Sequence, residues 1–191
     1  MKLHKLFAFA AALALSGAAN AVVLTGTSGS NAVTDYSGAG LVSFDLDLKN
    51  FSTTTLNFVL EADDLQGPLS FNALVRNLAG AGLDRFTFSL QGIDFSGTGT
   101  VTPAFGELGK VDMTKAATSI SFGAPEYAEF QFGDVFGTAG QANWLLSTAG
   151  LRAGDSFSIT ATVPEPSSAA LVLPMLCMAG LMVAARRRNR D

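Results

Sequence analysis

The sequence has one histidine and one cysteine in 191 residues, and both lie in hydrophobic segments at the ends of the chain, His4 near the N-terminus and Cys177 near the C-terminus. The long central region therefore has neither residue. A Ser-His-Asp triad, a Cys-His pair and a histidine-based zinc site are excluded there. A disulfide framework is excluded for the same reason.

Charged residues are also scarce, at 15% of the chain, whereas hydrophobic residues make up 48%. This balance excludes intrinsic disorder, which requires low hydrophobicity and high charge. Residues 22–162 contain 14 acidic and 6 basic residues, a net charge of −8. Such an acidic region repels phosphate groups, so we expect no nucleic-acid partner.

The N-terminal residues 1–21 have the organisation of a secretory signal peptide. Basic residues come first, followed by an apolar run and the small residues Ala19 and Ala21. The apolar run, residues 6–15, is too short to cross a bilayer, which requires about 20 residues. We predict cleavage by signal peptidase after Ala21, with an uncleaved N-terminal anchor as the alternative.

The C-terminal region contains a second apolar segment, residues 169–185, which has no charged residue. A transmembrane helix is predicted here, at the lower length limit of about 17 residues. A basic tail, residues 186–191, follows it and contains Arg186, Arg187, Arg188 and Arg190. Because basic residues favour the cytoplasmic side, the tail is predicted to be cytoplasmic and the preceding chain to be exported.

A short linker, residues 163–168, precedes this segment and contains Pro164, Glu165 and Pro166. The two prolines restrict the backbone and remove two hydrogen-bond donors, which favours a stiff, accessible linker. The ordered series of Pro-Glu-Pro, apolar segment and arginine cluster closely resembles the PEP-CTERM sorting signal of exported bacterial proteins.

This resemblance implies that the chain is a substrate of an exosortase, a membrane-embedded cysteine transpeptidase. Pro164, Glu165 and Pro166 would be the recognition motif, and the arginine cluster the stop signal. The resemblance also implies anchoring in the inner membrane before processing, then a place on the cell surface or in an exopolysaccharide or biofilm matrix. The alternative is an ordinary single-span membrane protein with a proline-rich stalk.

Apolar residues alternate with polar ones at six or more places in residues 22–162, which is the pattern of strands with one buried face. The apolar positions are Val42, Phe44, Leu46 and Leu48; Leu56, Phe58 and Leu60; Phe86, Phe88 and Leu90; Ile120 and Phe122; Phe130 and Phe132; Phe157, Ile159 and Ala161. Strands of this kind at short spacing favour an all-β, antiparallel β-sandwich, with a jelly roll as the alternative.

The sequence also supports predictions for individual residues of this region. The phenylalanines of residues 22–162 are expected to fill the core, and Trp144 to pack against the sandwich. Residues 71–79 are expected to form one short helix or a turn, because Leu74 and Leu78 are four residues apart. Gly97 and Gly99 are expected in turns.

Carboxylates are the remaining candidates for chemistry. Glu61, Asp63 and Asp64 precede a glycine-containing loop and could supply oxygen ligands to calcium, although the spacing of an EF-hand is absent. A pair of acids could also hydrolyse glycosides, with Glu61, Asp63, Asp64, Glu126 and Glu129 as the candidates. We predict instead a non-enzymatic structural or adhesive protein without a required cofactor. A polysaccharide-binding module, with or without calcium, is the alternative.

Overall fold

The computed structural model describes residues 21–164, which form an all-β fold. Residues 1–20 and 165–191, and with them the predicted transmembrane segment and basic tail, lie outside the described residues. The strands are β1 (Val23–Ser28), β2 (Ala32–Asp35), β3 (Leu41–Leu48), β4 (Thr54–Val59), β5 (Leu69–Asn77), β6 (Leu83–Gln91), β7 (Asp94–Gly97), β8 (Val101–Pro103), β9 (Glu107–Met113), β10 (Ala117–Glu126), β11 (Glu129–Phe132), β12 (Trp144–Ser147) and β13 (Ser156–Thr162). A short 3₁₀ helix, Ala62–Gln66, connects β4 to β5.

The six strands predicted from alternation are confirmed as β3, β4, β6, β10, β11 and β13. In β3, for example, Phe44, Leu46 and Leu48 are buried, whereas Asp45 and Asp47 between them are partly exposed. Successive side chains of a strand point to opposite faces, so this alternation gives each strand an apolar inner face and a polar outer face.

The strands form two sheets. Sheet A has the order β1-β4-β13-β6-β10-β9, and sheet B has the order β2-β3-β5-β11-β8, with β12 beside β5 and β7 beside β12. All pairs are antiparallel except β3 and β5, which run parallel. The parallel pair departs from the fully antiparallel sandwich that the sequence predicted. It arises because the chain crosses from β3 to β4 in sheet A before it returns as β5.

The inner faces of the two sheets pack against each other through aromatic rings. The ring of Phe88 in sheet A lies 4.8 Å from that of Phe132 in sheet B, and Phe86 lies 5.2 Å from Phe130. Ten of the 13 phenylalanines in residues 22–162 are buried, which confirms core filling for those ten. The prediction is wrong for Phe105 and Phe136, which lie on loops and are exposed.

The expectation of a helix or turn over residues 71–79 is wrong, because most of this segment belongs to β5. This strand is central in sheet B, and both of its faces are largely covered, so Leu74 on the outer face interrupts the alternation of apolar and polar residues. Leu74 on the outer face is buried like its inward-facing neighbours, whereas Leu78 is exposed. The spacing of four residues between Leu74 and Leu78 therefore does not reflect a helix.

Gly97 and Gly99 are both predicted in turns; Gly97 lies instead in β7, whereas Gly99 lies in the connection between β7 and β8, and both are close to β12. A Cβ atom at Gly97 would be 2.9 Å from the Leu145 side chain, and one at Gly99 would be 2.6 Å from the backbone N of Trp144. Glycine is required at Gly99 because the neighbouring atoms include backbone, whereas a side chain at Gly97 would require Leu145 to shift. Gly97 is the last residue of β7.

Candidate functional site

The outer face of sheet A is covered by uncharged polar side chains over four adjacent strands. We call this surface the hydroxyl face, and it consists of Thr55 and Asn57 on β4, Ser158, Thr160 and Thr162 on β13, Thr87, Ser89 and Gln91 on β6, and Ser119 and Ser121 on β10. Strand register aligns these residues in rows. One row is Asn57, Ser158 and Gln91, and the next is Thr55, Thr160 and Ser89.

Two pairs of hydroxyl groups on this surface bond to each other across strands. The Thr55 and Thr160 Oγ1 atoms are 3.0 Å apart, and Thr87 Oγ1 lies 3.0 Å from Ser119 Oγ. A hydroxyl group has one donor and two acceptor positions, so a single bond leaves further hydrogen-bonding capacity directed at solvent. The hydroxyl face thus presents several aligned donors and acceptors.

Charged residues border the hydroxyl face. On the edge strand β9, Lys110 Nζ and Asp112 Oδ1 form an exposed ion pair at 2.6 Å. Charges on an edge strand discourage pairing with strands of other molecules, which accounts for their position. Arg85, near the start of β6, lies opposite Ser121 on β10.

An open groove of about 500 Å³ lies at one end of the hydroxyl face. It is lined by Thr25, Asn57, Gln91, Gly92, Ser156, Phe157 and Ser158. Gly92 has a φ of 83°, and a Cβ atom there would lie 2.9 Å from the carbonyl oxygen of Ser156, so a side chain would both strain the turn and narrow the groove. The volume is within the usual range for small-molecule sites, about 300 to 1,000 Å³.

The outer face of sheet B is also polar, but its side chains bond to one another. Asn72 is buried, and its Oδ1 accepts a hydrogen bond from Ser43 Oγ at 2.6 Å. Its Nδ2 donates to the Asp134 carbonyl and to Asn143 Oδ1, both at 3.2 Å. Asp134 and Asn143 belong to the loop between β11 and β12, so Asn72 holds this loop over the sheet.

An ion-pair cluster occupies the neighbouring part of the same face. Arg76 on β5 contacts Asp45 through Nη2, and its Nε lies 2.8 Å from Asp47 Oδ1. Both aspartates lie on β3, where the parallel register places Asp47 directly beside Arg76. The positive charge is therefore shared between two carboxylates, and little of this face is free to bind another molecule.

Of the predicted calcium ligands, Asp64 is buried in the 3₁₀ helix. Its Oδ1 accepts a hydrogen bond from the Gly40 backbone N–H at 3.0 Å, and its Oδ2 accepts one from Glu61 N–H at 2.8 Å. Asp64 thus joins this turn to the one before β3, while Asp63 is exposed. Residues 21–164 contain no group of three or more His, Cys, Asp or Glu side chains arranged to hold a metal ion. Calcium binding at Glu61, Asp63 and Asp64 stays a prediction.

Glu126, a candidate for acid catalysis, is fully buried and accepts three backbone hydrogen bonds. Oε2 accepts from Phe105 and Gly106 at 2.9 and 2.8 Å, and Oε1 from Ala128 at 2.8 Å. Burial acts to raise the pKa of Glu126, but the hydrogen bonds from Gly106, Ala128 and Phe105 favour the charged form and bring its pKa below 4.5. A general acid needs the opposite shift. Glu126 instead holds the loops around it in place.

The aromatic residues that could stack on a sugar ring do not form one platform. Trp144 packs in the core, as predicted, with its ring 4.5 Å from that of Phe132 and its Nε1 donating to the Thr100 carbonyl at 3.2 Å. Tyr36 and Tyr127 are exposed in separate loops. Neither tyrosine lines the groove of the hydroxyl face.

The predicted sorting and cleavage residues lie at or beyond the limits of the described residues. Ala21 is the first described residue, and Pro164 is the last and is exposed. Ala19, Glu165, Pro166, Arg186, Arg187, Arg188 and Arg190 lie outside. No helix within residues 21–164 is long and apolar enough to cross a membrane.

The hydroxyl face was not recognised from the sequence, although a signal for it exists. Residues 156–162 read Ser-Phe-Ser-Ile-Thr-Ala-Thr, so a hydroxyl residue occupies every outward position of β13. The same pattern in β4 and β6 was used only to locate the buried positions. Strand order, which the sequence pattern does not provide, is what brings these strands together.

Comparisons of the chain with family models, curated proteins and solved structures found no match.

Proposed function

We propose that this chain is an exported, non-enzymatic protein of the cell surface or extracellular matrix that attaches to neutral polysaccharide through its hydroxyl face. The observation that carries this proposal is the set of ten aligned, uncharged side chains on β4, β13, β6 and β10, with the groove at one end. Hydroxyl and amide groups are suitable partners for sugar hydroxyls, because both sides can donate and accept hydrogen bonds.

The charge distribution favours a neutral polysaccharide over an anionic one. Residues 22–162 have a net charge of −8, which repels a polyanion at low salt. The hydroxyl face itself contributes no formal charge to attract one. Shape and hydrogen bonding, which do not depend on salt, would therefore provide the affinity.

The route to the surface is proposed from the two ends of the chain. Signal peptidase would remove residues 1–21, and an exosortase would process the tail after recognising Pro164, Glu165 and Pro166. Within the fold, Val163 is buried in the core and Pro164 is exposed. The proposed motif thus begins at an exposed residue directly after the buried Val163, and a processing enzyme could reach Pro164 without unfolding the sandwich.

Polysaccharide attachment can be tested by affinity electrophoresis of residues 22–164 in gels that contain dextran, galactan, β-1,3-glucan or β-1,4-glucan. At least one of these neutral polymers should retard the wild-type protein, and anionic alginate should not. Ser158→Arg places a long side chain between Asn57 and Gln91, and should weaken the affinity at least about tenfold, or ~1.4 kcal/mol.

The matched control is Thr34→Arg, which adds the same side chain to an exposed position of β2 in sheet B. It should bind as the wild type does. Equal losses in the two variants would indicate a non-specific effect of charge, and a wild-type protein that no neutral polymer retards would contradict the proposed attachment.

Sorting can be tested with a variant in which Pro164, Glu165 and Pro166 are all replaced by alanine. Export depends on the signal peptide and should continue, but the variant should remain at full mature length in the inner membrane. The wild type should reach the surface or medium in a shorter form. Fractionation followed by intact-mass measurement compares them, and identical masses in the inner membrane would mean that the tail is a plain anchor.

A further inference from the structure

Three exposed apolar side chains lie on three different loops at the same end of the sandwich. We call them the apolar tips: Leu78 is 58% exposed, Phe105 84% and Tyr127 65%. Leu78 follows β5, Phe105 lies between β8 and β9, and Tyr127 lies between β10 and β11. Exposure of large apolar groups to water is unfavourable, and it marks a surface that another molecule or a membrane covers.

Two buried polar side chains hold these loops in place. Glu126 accepts backbone hydrogen bonds from Phe105 and from Ala128, which follows Tyr127. Asn77 Nδ2 donates to the carbonyl oxygens of Ala81 and Glu126, at 2.7 and 2.9 Å, and so ties the loop of Leu78 to the turn of Tyr127. The apolar tips are thus displayed on loops whose backbone is fixed from within.

The chain leaves the fold at this same end. Thr162 of β13 pairs with Thr87 of β6, and Leu83, at the start of β6, pairs with Glu126. Since β6 and β13 are antiparallel, β13 runs toward the start of β6, and Leu83 lies further along this direction than Thr162. The four residues from Thr87 to Leu83 correspond to about 13 Å at 3.3 Å per residue.

Only a short stretch separates this exit from the apolar segment of the tail. From Pro164 to the start of residues 169–185 there are five residue steps, which reach at most about 18 Å when fully extended. Counted from Thr162, the seven steps to residue 169 reach at most about 25 Å, which exceeds the distance of about 13 Å from the level of Thr162 to Leu83. If residues 169–185 span a bilayer, this end of the sandwich faces that bilayer and lies within its reach.

We propose that the apolar tips insert into the interfacial layer of the membrane while the tail anchors the protein. The ligand is a lipid bilayer surface, and the proposal depends on the tail anchor given under the proposed function. Tyrosine and phenylalanine are suited to this depth, because their rings bury apolar area near the headgroups. Acidic and basic residues are mixed at this end, with Asp84 and Glu107 near Arg85, so insertion should require neither anionic lipid nor low salt.

The test uses the mature full-length chain, purified from the inner membrane of a host without an exosortase and reconstituted into phosphatidylcholine vesicles. Flotation of the vesicles first reports whether the tail inserts, with a chain that ends at Pro164 as the unbound control. Phe105→Trp then reports the depth of one apolar tip through quenching by brominated phosphatidylcholine. The native Trp144 is buried, so the wild type gives the baseline.

The matched control is Phe136→Trp, because Phe136 is also an exposed loop phenylalanine, at 63%, but lies beyond Phe132 at the other end of β11. After subtraction of the wild-type baseline, emission from Phe105→Trp is expected to fall about twofold in brominated lipid, while emission from Phe136→Trp stays unchanged. If the vesicles float with the protein but Phe105→Trp is not quenched, or both variants are quenched equally, insertion of the apolar tips would be overturned. The tail anchor would still stand. Absence of flotation would overturn the anchor and this proposal with it.

Discussion

The two outer faces of the sandwich are both polar but use their polar residues differently. On sheet B, Asn72 and Arg76 are bonded to their neighbours, and the β11–β12 loop is held over the surface. On the hydroxyl face of sheet A, five of the ten side chains make no hydrogen bond within residues 21–164, and these are Asn57, Ser89, Gln91, Ser158 and Thr162. A polar surface is available for binding only where its donors and acceptors are not already hydrogen-bonded to one another.

The largest expected difference between the two faces is in the response of two asparagines to alanine. Asn72→Ala removes two donated hydrogen bonds and one accepted hydrogen bond at a buried site and should lower the free energy of unfolding by about 2–3 kcal/mol. Asn57→Ala, at an exposed site of sheet A, should change it by less than about 0.5 kcal/mol. Urea denaturation of residues 22–164 measures both losses. Equal losses would contradict the difference in hydrogen bonding between the two outer faces.

Within sheet A, a similar contrast is expected along β10. Glu126→Gln should lower the free energy of unfolding by about 1–2 kcal/mol at neutral pH, because a charged acceptor of three backbone hydrogen bonds becomes neutral. Ser119→Ala on the hydroxyl face should cost less than about 0.5 kcal/mol. Thermal denaturation of the two variants beside the wild type provides this comparison.

The pH dependence of the Glu126 effect has a defined sign. The pKa of Glu126 in the folded protein is below 4.5, so its stabilisation is present above the unfolded pKa and is lost as the pH falls through the folded value. The advantage of the wild type over Glu126→Gln should be constant from about pH 5 to 7 and then shrink in acid. An advantage that grew in acid would contradict the lowered pKa.

The ion pairs of the two faces should also differ, by a smaller amount. Arg76→Met leaves two partly buried aspartates without their cation and should cost about 1 kcal/mol, with a smaller loss at high salt. Lys110→Met, in an exposed pair on the edge of sheet A, should cost less than about 0.3 kcal/mol. Unfolding free energies of both variants at two salt concentrations measure these losses. A larger loss for Lys110→Met than for Arg76→Met would contradict the prediction.

The smallest expected effect is that of reductant and chelator. Residues 22–164 contain no cysteine, so dithiothreitol should not change the thermal midpoint. EDTA should not change it either, because Asp64 is already bonded to two backbone N–H groups and stabilises its turn without metal. A large drop with EDTA would instead reveal structural calcium at Glu61, Asp63 and Asp64, through the stability that a bound ligand adds to the native state.

Alternation predicted the strands whose inner and outer faces differ most, such as β3 and β13. It could not predict β9, an edge strand that is exposed along most of its length, or β5, whose two faces are both covered. The turn at Asp64 and the burial of Glu126 depend on contacts between residues distant in the sequence. The hydroxyl face combines four strands from different parts of the chain, so its members were visible in the sequence but their assembly was not.

NMR chemical-shift mapping measures which face of the sandwich binds polysaccharide. Isotope-labelled residues 22–164 would be titrated with an oligosaccharide of the neutral polymer that retards the protein. We predict that the largest amide shifts cluster on β4, β13 and β6, around Asn57, Ser158 and Gln91. Shifts that instead cluster around Asn72 on sheet B, or are absent from the hydroxyl face, would contradict the account.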